Sequence, residues 1–252
     1  MSDDARYPGL AGRVALVTGG SGALGAETCR LLAAQGASVA VAGRDPSRVD
    51  AVVEGIVGAG GRAEGFLADC SVSSDVAALR TDVEARLGPV SLLAAFAGTD
   101  VPERPLTETT DDEWATGLAA SLTATFYVLR EFLPGMYEQR TGSVVLMSST
   151  AARRQTPASA AYTAAKGGIL ALTRKAAAEA GPHGVRVCCL APSLIATEGR
   201  ELPAGDAITE GWPLGRLGTP ADVANATAFL LSDAAGWLTG ITVDVAGGRV
   251  MP

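Results

Sequence analysis

The sequence predicts an α/β fold: a doubly wound parallel sheet of seven strands with helices on both faces. Three observations predict it. Short β-branched runs alternate with longer, alanine-rich segments of helical period, the pattern of repeated strand–helix–strand units. The short runs are almost continuously apolar, as expected of strands buried on both faces of a parallel sheet. The first strand runs into a glycine-rich turn and then a helix, "VALVTGGSGALG" from Val14 to Gly25, where a fold of this kind binds its ligand. Right-handed crossovers between parallel strands complete the winding.

The strand candidates, in order, are "RVALVT", "SVAVAG", "RAEGFLA", "SLLAAFA", "SVVLMSS", "VRVCCLA" and "ITVDVA". Between them lie "AETCRLLAAQG", "RVDAVVEGIVGAG", "SDVAALRTDVEARLG", a long stretch from Asp111 to Tyr137, another from Ala160 to Gly181, and "PADVANATAFLLSD". No linker, repeat or low-complexity block interrupts the rhythm, so residues 1–252 are expected to form a single domain. Residues 198–213, "EGRELPAGDAITEGWP", are too irregular for a core element and are expected to form a substrate-side insert.

Composition narrows the function. With 48% apolar and 19% charged residues, the chain is expected to bury a sizeable core. Its net charge of -7 offers nothing to nucleic acid or an anionic membrane. No apolar run reaches membrane-spanning length, and "MSDDARYPGL" lacks the basic start of a signal peptide, so a cytoplasmic protein is expected. Cys29, Cys70, Cys188 and Cys189 show no C-x-x-C spacing and are read as buried, reduced thiols. His183 is the one histidine, placed in a surface loop; no metal site is expected.

The glycine turn fits two patterns: Gly20, Gly22 and Gly25 match G-x-G-x-x-G, while Thr18, Gly19 and Gly25 match T-G-x-x-x-G-x-G with Ala23 at its middle glycine. Either can present backbone N–H groups and a helix N-terminus to a pyrophosphate. A dinucleotide site of this kind places an acidic residue about 20 positions on, to hold the ribose 2′-hydroxyl. Gly43 stands there, followed by Arg44 and Asp45. Arg44 could pair with a 2′-phosphate, which favours NADP(H) over NAD(H). Asp45 could instead cap the next helix ahead of Pro46, or turn back to the ribose.

"SSTAARRQTPASAAYTAAKGG" carries the chemistry. Tyr162 and Lys166 are four apart on a predicted helix and share a face. A free phenol has a pKa of about 10, and a nearby ammonium favours the phenolate. The pair can give a proton to a carbonyl oxygen or take one from an alcohol. Ser149, ending a buried strand, could hold the same oxygen.

With these residues in view, the chain resembles, along essentially its whole length, the short-chain dehydrogenase/reductase family of about 250 residues, and within it the 3-oxoacyl-carrier-protein-reductase-like ketoreductases. The resemblance implies a Rossmann fold and hydride transfer between NADP(H), or NAD(H), and a ketone or secondary alcohol. The family's glycine motif falls on Thr18, Gly19, Ala23 and Gly25, its adenine-side aspartate on Asp69, and its P-G-x-x-x-T segment on Pro192, Ser193, Ile195 and Thr197. Its serine falls on Ser149, thirteen residues before Tyr162. The cofactor-binding set so implied is Gly19, Ser21, Gly22, Ala23, Leu24, Gly25, Arg44, Asp69, Cys70, Ala97, Gly98, Tyr162, Lys166, Pro192, Ile195 and Thr197. The catalytic set is Ser149, Tyr162 and Lys166, with Ser121 at the place of the family's relay asparagine. The resemblance also implies a homo-oligomer, dimer or tetramer, assembled through the two long helices.

The chain departs from the pattern at four places. N-N-A-G reads "AFAG" from Ala95 to Gly98, Ser121 replaces the relay asparagine, Ala23 replaces a glycine, and Ser193 follows Pro192 in place of a glycine. Gly22 is expected to restore to the turn the freedom lost at Ala23, and Gly20 and Gly22 together to be extra freedom in the same turn. A serine hydroxyl can still bind a water in the relay. The altered relay leaves two alternatives open: a non-redox isomerase, dehydratase or cyclase on the same scaffold, and a nucleotide-binding protein without catalysis. Trp212, Leu202, Val101 and Phe96 are candidates for an apolar substrate pocket, and Arg153 and Arg154 read as a solvated charge pair.

Overall fold

A computed structural model of the chain describes residues 7–98, 101–197 and 209–251. Seven strands form one sheet: β1 (Val14–Thr18), β2 (Ser38–Gly43), β3 (Arg62–Leu67), β4 (Val90–Ala95), β5 (Gly142–Met147), β6 (Val185–Pro192) and β7 (Thr242–Val245). Their order is β3-β2-β1-β4-β5-β6-β7, and every neighbouring pair is parallel. The helices are α1 (Ala23–Ala34), α2 (Pro46–Gly58), α3 (Ser73–Leu87), α4 (Asp111–Leu118), α5 (Ala124–Gln139), α6 (Ala160–Ala180) and α7 (Pro220–Leu231).

The continuous apolar strands are explained by two cores, one on each face. Leu16, Ala40, Leu93 and Val144 point toward a layer that holds Val76 and Leu79 of α3, Phe132 of α5 and Ile169 of α6. Their sequence neighbours Ala15, Val39, Leu92 and Val145 point the other way, onto Cys29 and Leu32 of α1, Val49 and Ile56 of α2, and Val223 and Leu230 of α7. Successive strand residues face opposite sides, so both registers of the central strands β1, β4 and β5 are buried, while the edge strands β3 and β7 admit Arg62, Glu64 and Asp244.

The winding reverses beside β1: the chain builds outward from β1 to β3, then returns to place β4 on the other flank of β1. The carboxyl ends of the strands diverge from a crevice at that switch point. The long stretch from Asp111 to Tyr137 is not one regular helix. A π-helical turn, Ala119–Thr123, separates α4 from α5 and carries Ser121. Helical period alone does not reveal a single wide turn. No described helix is long and apolar enough to cross a membrane.

Candidate active site

A cleft of about 640 Å³ opens at the carboxyl ends of β1, β2 and β4. Its lining gathers Gly19, Ser21, Gly22, Ala23, Leu24, Gly25, Arg44, Asp69, Cys70, Ala97 and Gly98 from the expected cofactor set. The turn after β1 works by what it lacks. Gly19 has φ +65°, a left-handed conformation. A Cβ on Gly25 would collide with the Gly19 carbonyl, so the helix can start this close to the turn only at a glycine. Gly20 and Gly22 are not spare freedom, contrary to the expectation. Gly20 excludes a Cβ that would lie 2.8 Å from the Val17 carbonyl oxygen. Gly22 has φ -79°, open to any residue, and caps α1 without a side chain. The first-turn N–H groups of α1 therefore have no capping side chain and stand at the cleft, a donor set that fits a pyrophosphate. Cys70 is a neutral wall: burial pushes its thiol up to about 12.

At the end of β2, a side chain on Gly43 would strike Ser21 Oγ and Val49 Cγ2, which explains why no acid stands there. Asp45 is the helix cap of the two readings, its side chain accepting from Arg48 N at 3.2 Å. Arg44 lies open to solvent, with Nη1 3.9 Å from Asp69 Oδ2. Asp69 Oδ1 accepts from Ser71 N at 2.9 Å and Ser71 Oγ at 2.7 Å. Those bonds first, and Arg44 more weakly, hold the Asp69 carboxyl below the usual range. Arg48, which the sequence reading missed, donates to the Ser21 carbonyl at 3.1 Å and puts a second guanidinium in the cleft wall. A basic residue in the first turn after Pro46 was the available signal. Ser71, Ala120 and Met147 were also missed, and Phe96, expected at a substrate pocket, lines this cleft.

The catalytic candidates come from three separate elements. β5 ends at Met147, and Ser149 follows in extended backbone, its Oγ accepting from Ala151 N at 3.2 Å. Ser159 caps α6 by accepting from Tyr162 N at 3.1 Å, which sets the start of the helix and hence the face shared by Tyr162 and Lys166. Lys166 is only 3% exposed. Its Nζ donates to the Met147 carbonyl at 2.9 Å and sits 5.3 Å from the Tyr162 ring centroid. Ser121 is fully buried, and its carbonyl accepts from Thr125 Oγ1 at 2.8 Å. Gly98 joins the two regions: a Cβ there would lie 3.1 Å from Ser121 Oγ and 3.4 Å from Lys166 Nζ. The cleft, the lysine and the relay-position serine thus meet at one glycine. The "AFAG" segment is held without asparagines: Phe96 N donates to the Thr18 carbonyl at 3.2 Å and Ala97 N to Thr18 Oγ1 at 3.1 Å.

Beyond the cleft, Pro192 ends β6 and Ile195 is buried, bridged to Gly218. Thr197 is half-buried. Most of the expected insert, residues 198–208 with Leu202, lies outside the described residues. Phe96 and Trp212 do not share a pocket: Phe96 lines the large cleft and Trp212 a separate cavity of about 170 Å³. Arg153 is not a freely solvated charge, since its Nη1 pairs with Asp244 Oδ2 at 3.3 Å. His183 is half-buried rather than in open solvent, stacked on Tyr137 with centroids 4.3 Å apart. The four cysteines are free and buried, as expected.

Comparison with known proteins agrees with this fold. The family profile described as Enoyl-(Acyl carrier protein) reductase matches residues 20–249. The short-chain reductase protein NovJ of Streptomyces niveus is 38% identical, covering 94% of this chain and 93% of its own. A crystal structure of 3-oxoacyl-[acyl-carrier protein] reductase from Brucella melitensis superposes with a TM-score of 0.92 at 31% identity, covering 98% of this chain and 94% of that one. Another such reductase from Brucella melitensis, with bound NAD, gives 0.89 at 30% identity, covering 96% of this chain and 92% of that one. The chain belongs to the short-chain dehydrogenase/reductase family, a family of NAD(P)-dependent oxidoreductases with a Rossmann fold.

Proposed function

We propose that this chain is a single-domain, NADP(H)-dependent oxidoreductase that interconverts a ketone and a secondary alcohol, with Tyr162 as general acid and base. The observation that carries the reading is Lys166: a buried ammonium fixed on the Met147 carbonyl, 5.3 Å from the Tyr162 ring, at the edge of a cleft fitted to a dinucleotide. A bound nicotinamide supplies or accepts the hydride. The protein supplies placement and charge. Tyr162 gives its phenolic proton to the substrate oxygen as that oxygen gains charge, and Lys166 favours the resulting phenolate. Ser149 Oγ accepts from Ala151 N, so its own O–H can donate to the same oxygen. Ser121 Oγ stands beside the Gly98 contact with Lys166, on the route by which a proton would return to Tyr162.

Arg44 and Arg48 support NADP(H): two guanidiniums in the cleft wall suit a 2′-phosphate, and no acid stands at Gly43 to hold a free 2′-hydroxyl. NAD(H) remains the competing cofactor, and the NAD-bound neighbour supports it. The test is NADPH and NADH consumption over a panel of ketones, with Tyr162→Phe as control. Equal activity in Tyr162→Phe would sink the tyrosine's role, and a preference for NADH would sink the reading of Arg44 and Arg48.

One observation favours the non-redox reading. Ser121 puts a short hydroxyl where the family carries an amide, which weakens the proton route but leaves the cleft intact. Product formed without net nicotinamide turnover would support it. Association of copies through α4, α5 and α6 is supported by Trp114 and Phe126, which expose apolar rings on α4 and α5. Light scattering on the purified protein tests it.

A further inference from the structure

Four arginines lie at the carboxyl edge of β5, β6 and β7 or in the loop leading into α7, and the structure divides them in two. Arg153 is neutralised by Asp244 at 3.3 Å, and Arg216 by both oxygens of Asp222 at 2.7 and 2.9 Å. Arg154 and Arg249 have no carboxylate partner among the described residues, yet they are neighbours: Arg154 Nη1 donates to the Arg249 carbonyl at 3.2 Å. Arg249 is held in a fixed plane. Its Nη1 donates to Ser193 Oγ at 3.0 Å, and its guanidinium carbon lies 4.7 Å from the Trp212 ring centroid. This also gives a task to Ser193, the residue that departs from the family's glycine after Pro192: its hydroxyl orients a guanidinium.

The location connects this pair to the chemistry. Ser148 N donates to the Leu190 carbonyl at 2.8 Å, so the end of β5 that leads to Ser149 lies against the end of β6 that leads to Ser193. Neighbouring strands are about 4.8 Å apart, which puts Ser193 on the order of 5–10 Å from Ser149. Arg154 follows Ser149 by five residues. Two like charges kept together, with no carboxylate partner among the described residues, repel each other, and an oxyanion between them removes that cost and gains planar, charge-assisted bonds. Burial and the neighbouring Arg154 both hold Arg249 below the usual arginine range.

We propose that Arg154 and Arg249, oriented by Ser193 and Trp212, form an oxyanion subsite, and that the carbonyl substrate carries a carboxylate or phosphate a few bonds from its reacting carbon. This deepens the reductase reading and rests on it for the word substrate, but the subsite can be tested without turnover. The experiment is calorimetric titration of the NADP⁺-loaded protein with two matched pairs: 4-oxopentanoate against its methyl ester, and dihydroxyacetone phosphate against dihydroxyacetone. The expected result is that the charged member of at least one pair binds about tenfold more tightly or better, the usual size of a charge-assisted hydrogen bond. The pair that discriminates tells carboxylate from phosphate. Arg154→Met combined with Arg249→Met should bring the ratio near one, while Arg249→Lys should keep part of it. A wild-type protein that favours neither charged ligand overturns the subsite, as does a preference that survives the double variant. Reduction of neutral ketones with no charge preference refutes the subsite and leaves the reductase reading standing. Charge-dependent binding without any turnover refutes the reductase reading and leaves the subsite standing.

Discussion

The proposed dinucleotide cleft and the proposed catalytic corner are built from opposite materials. Around the cleft the decisive atoms belong to the backbone, and the decisive side chains are missing ones: Gly19, Gly20, Gly25 and Gly43 each clear a space that a Cβ would fill. In the catalytic corner the decisive atoms are side-chain ends brought together from the end of β5, the first turns of α6 and the π-helical turn between α4 and α5. The first region is local in sequence and fails by overpacking. The second is assembled across the chain and fails by loss of single functional groups. Separate losses of binding and of chemistry are therefore expected from substitutions on the two sides of Gly98.

The largest separation should come from Tyr162→Phe. Removing a general acid typically costs about 10²–10⁴-fold, so kcat/KM for ketone reduction should fall that far while nicotinamide fluorescence still reports NADPH binding. Loss of both together would mean that the two regions are not separable. Gly25→Val should do the reverse, driving a side chain into the Gly19 carbonyl. Overpacking of this kind costs about 1–3 kcal/mol, read as a lower urea midpoint, and NADPH binding should go with it. Unchanged NADPH affinity would contradict the cleft assignment.

Smaller and more selective is Arg44→Ala. Removing one charge-assisted contact should weaken NADPH by about tenfold and leave NADH nearly untouched. Equal weakening of both would place Arg44 elsewhere than at the 2′-phosphate. The smallest effect is expected at Ser121. Ser121→Ala should slow turnover by about 2–10-fold, the worth of one hydrogen bond, with the pH–rate profile displaced. A profile that does not move would remove Ser121 from the proton route.

The two regions were also unequally legible in the sequence. The sheet could be read because a strand covered on both faces has no polar period to hide it: "SVAVAG" is β2 without a residue added or lost. The glycine turn could be read because its constraint lies within a dozen residues. Tyr162 and Lys166 could be read because one helix places both. Arg48, by contrast, acts through the Ser21 carbonyl 27 residues away, and no local pattern records that contact. The π-helical turn at Ser121 leaves no mark in the period of the helix that a sequence reading could use. Arg153 was misread as solvated because Asp244 lies on the last strand, far off in sequence. Gly20 and Gly22 were misread because composition reports a missing side chain without saying whether φ or space requires its absence.

The most direct test of the central claim follows the hydride itself. NADPH carrying deuterium at both C4 positions of the nicotinamide is incubated with the protein and a ketone that it consumes, and the product is examined by mass spectrometry and NMR. The account predicts one deuterium on the new carbinol carbon, with transfer abolished or reduced to a trace in Tyr162→Phe. A product that forms without the label, or equal transfer in Tyr162→Phe, would contradict it.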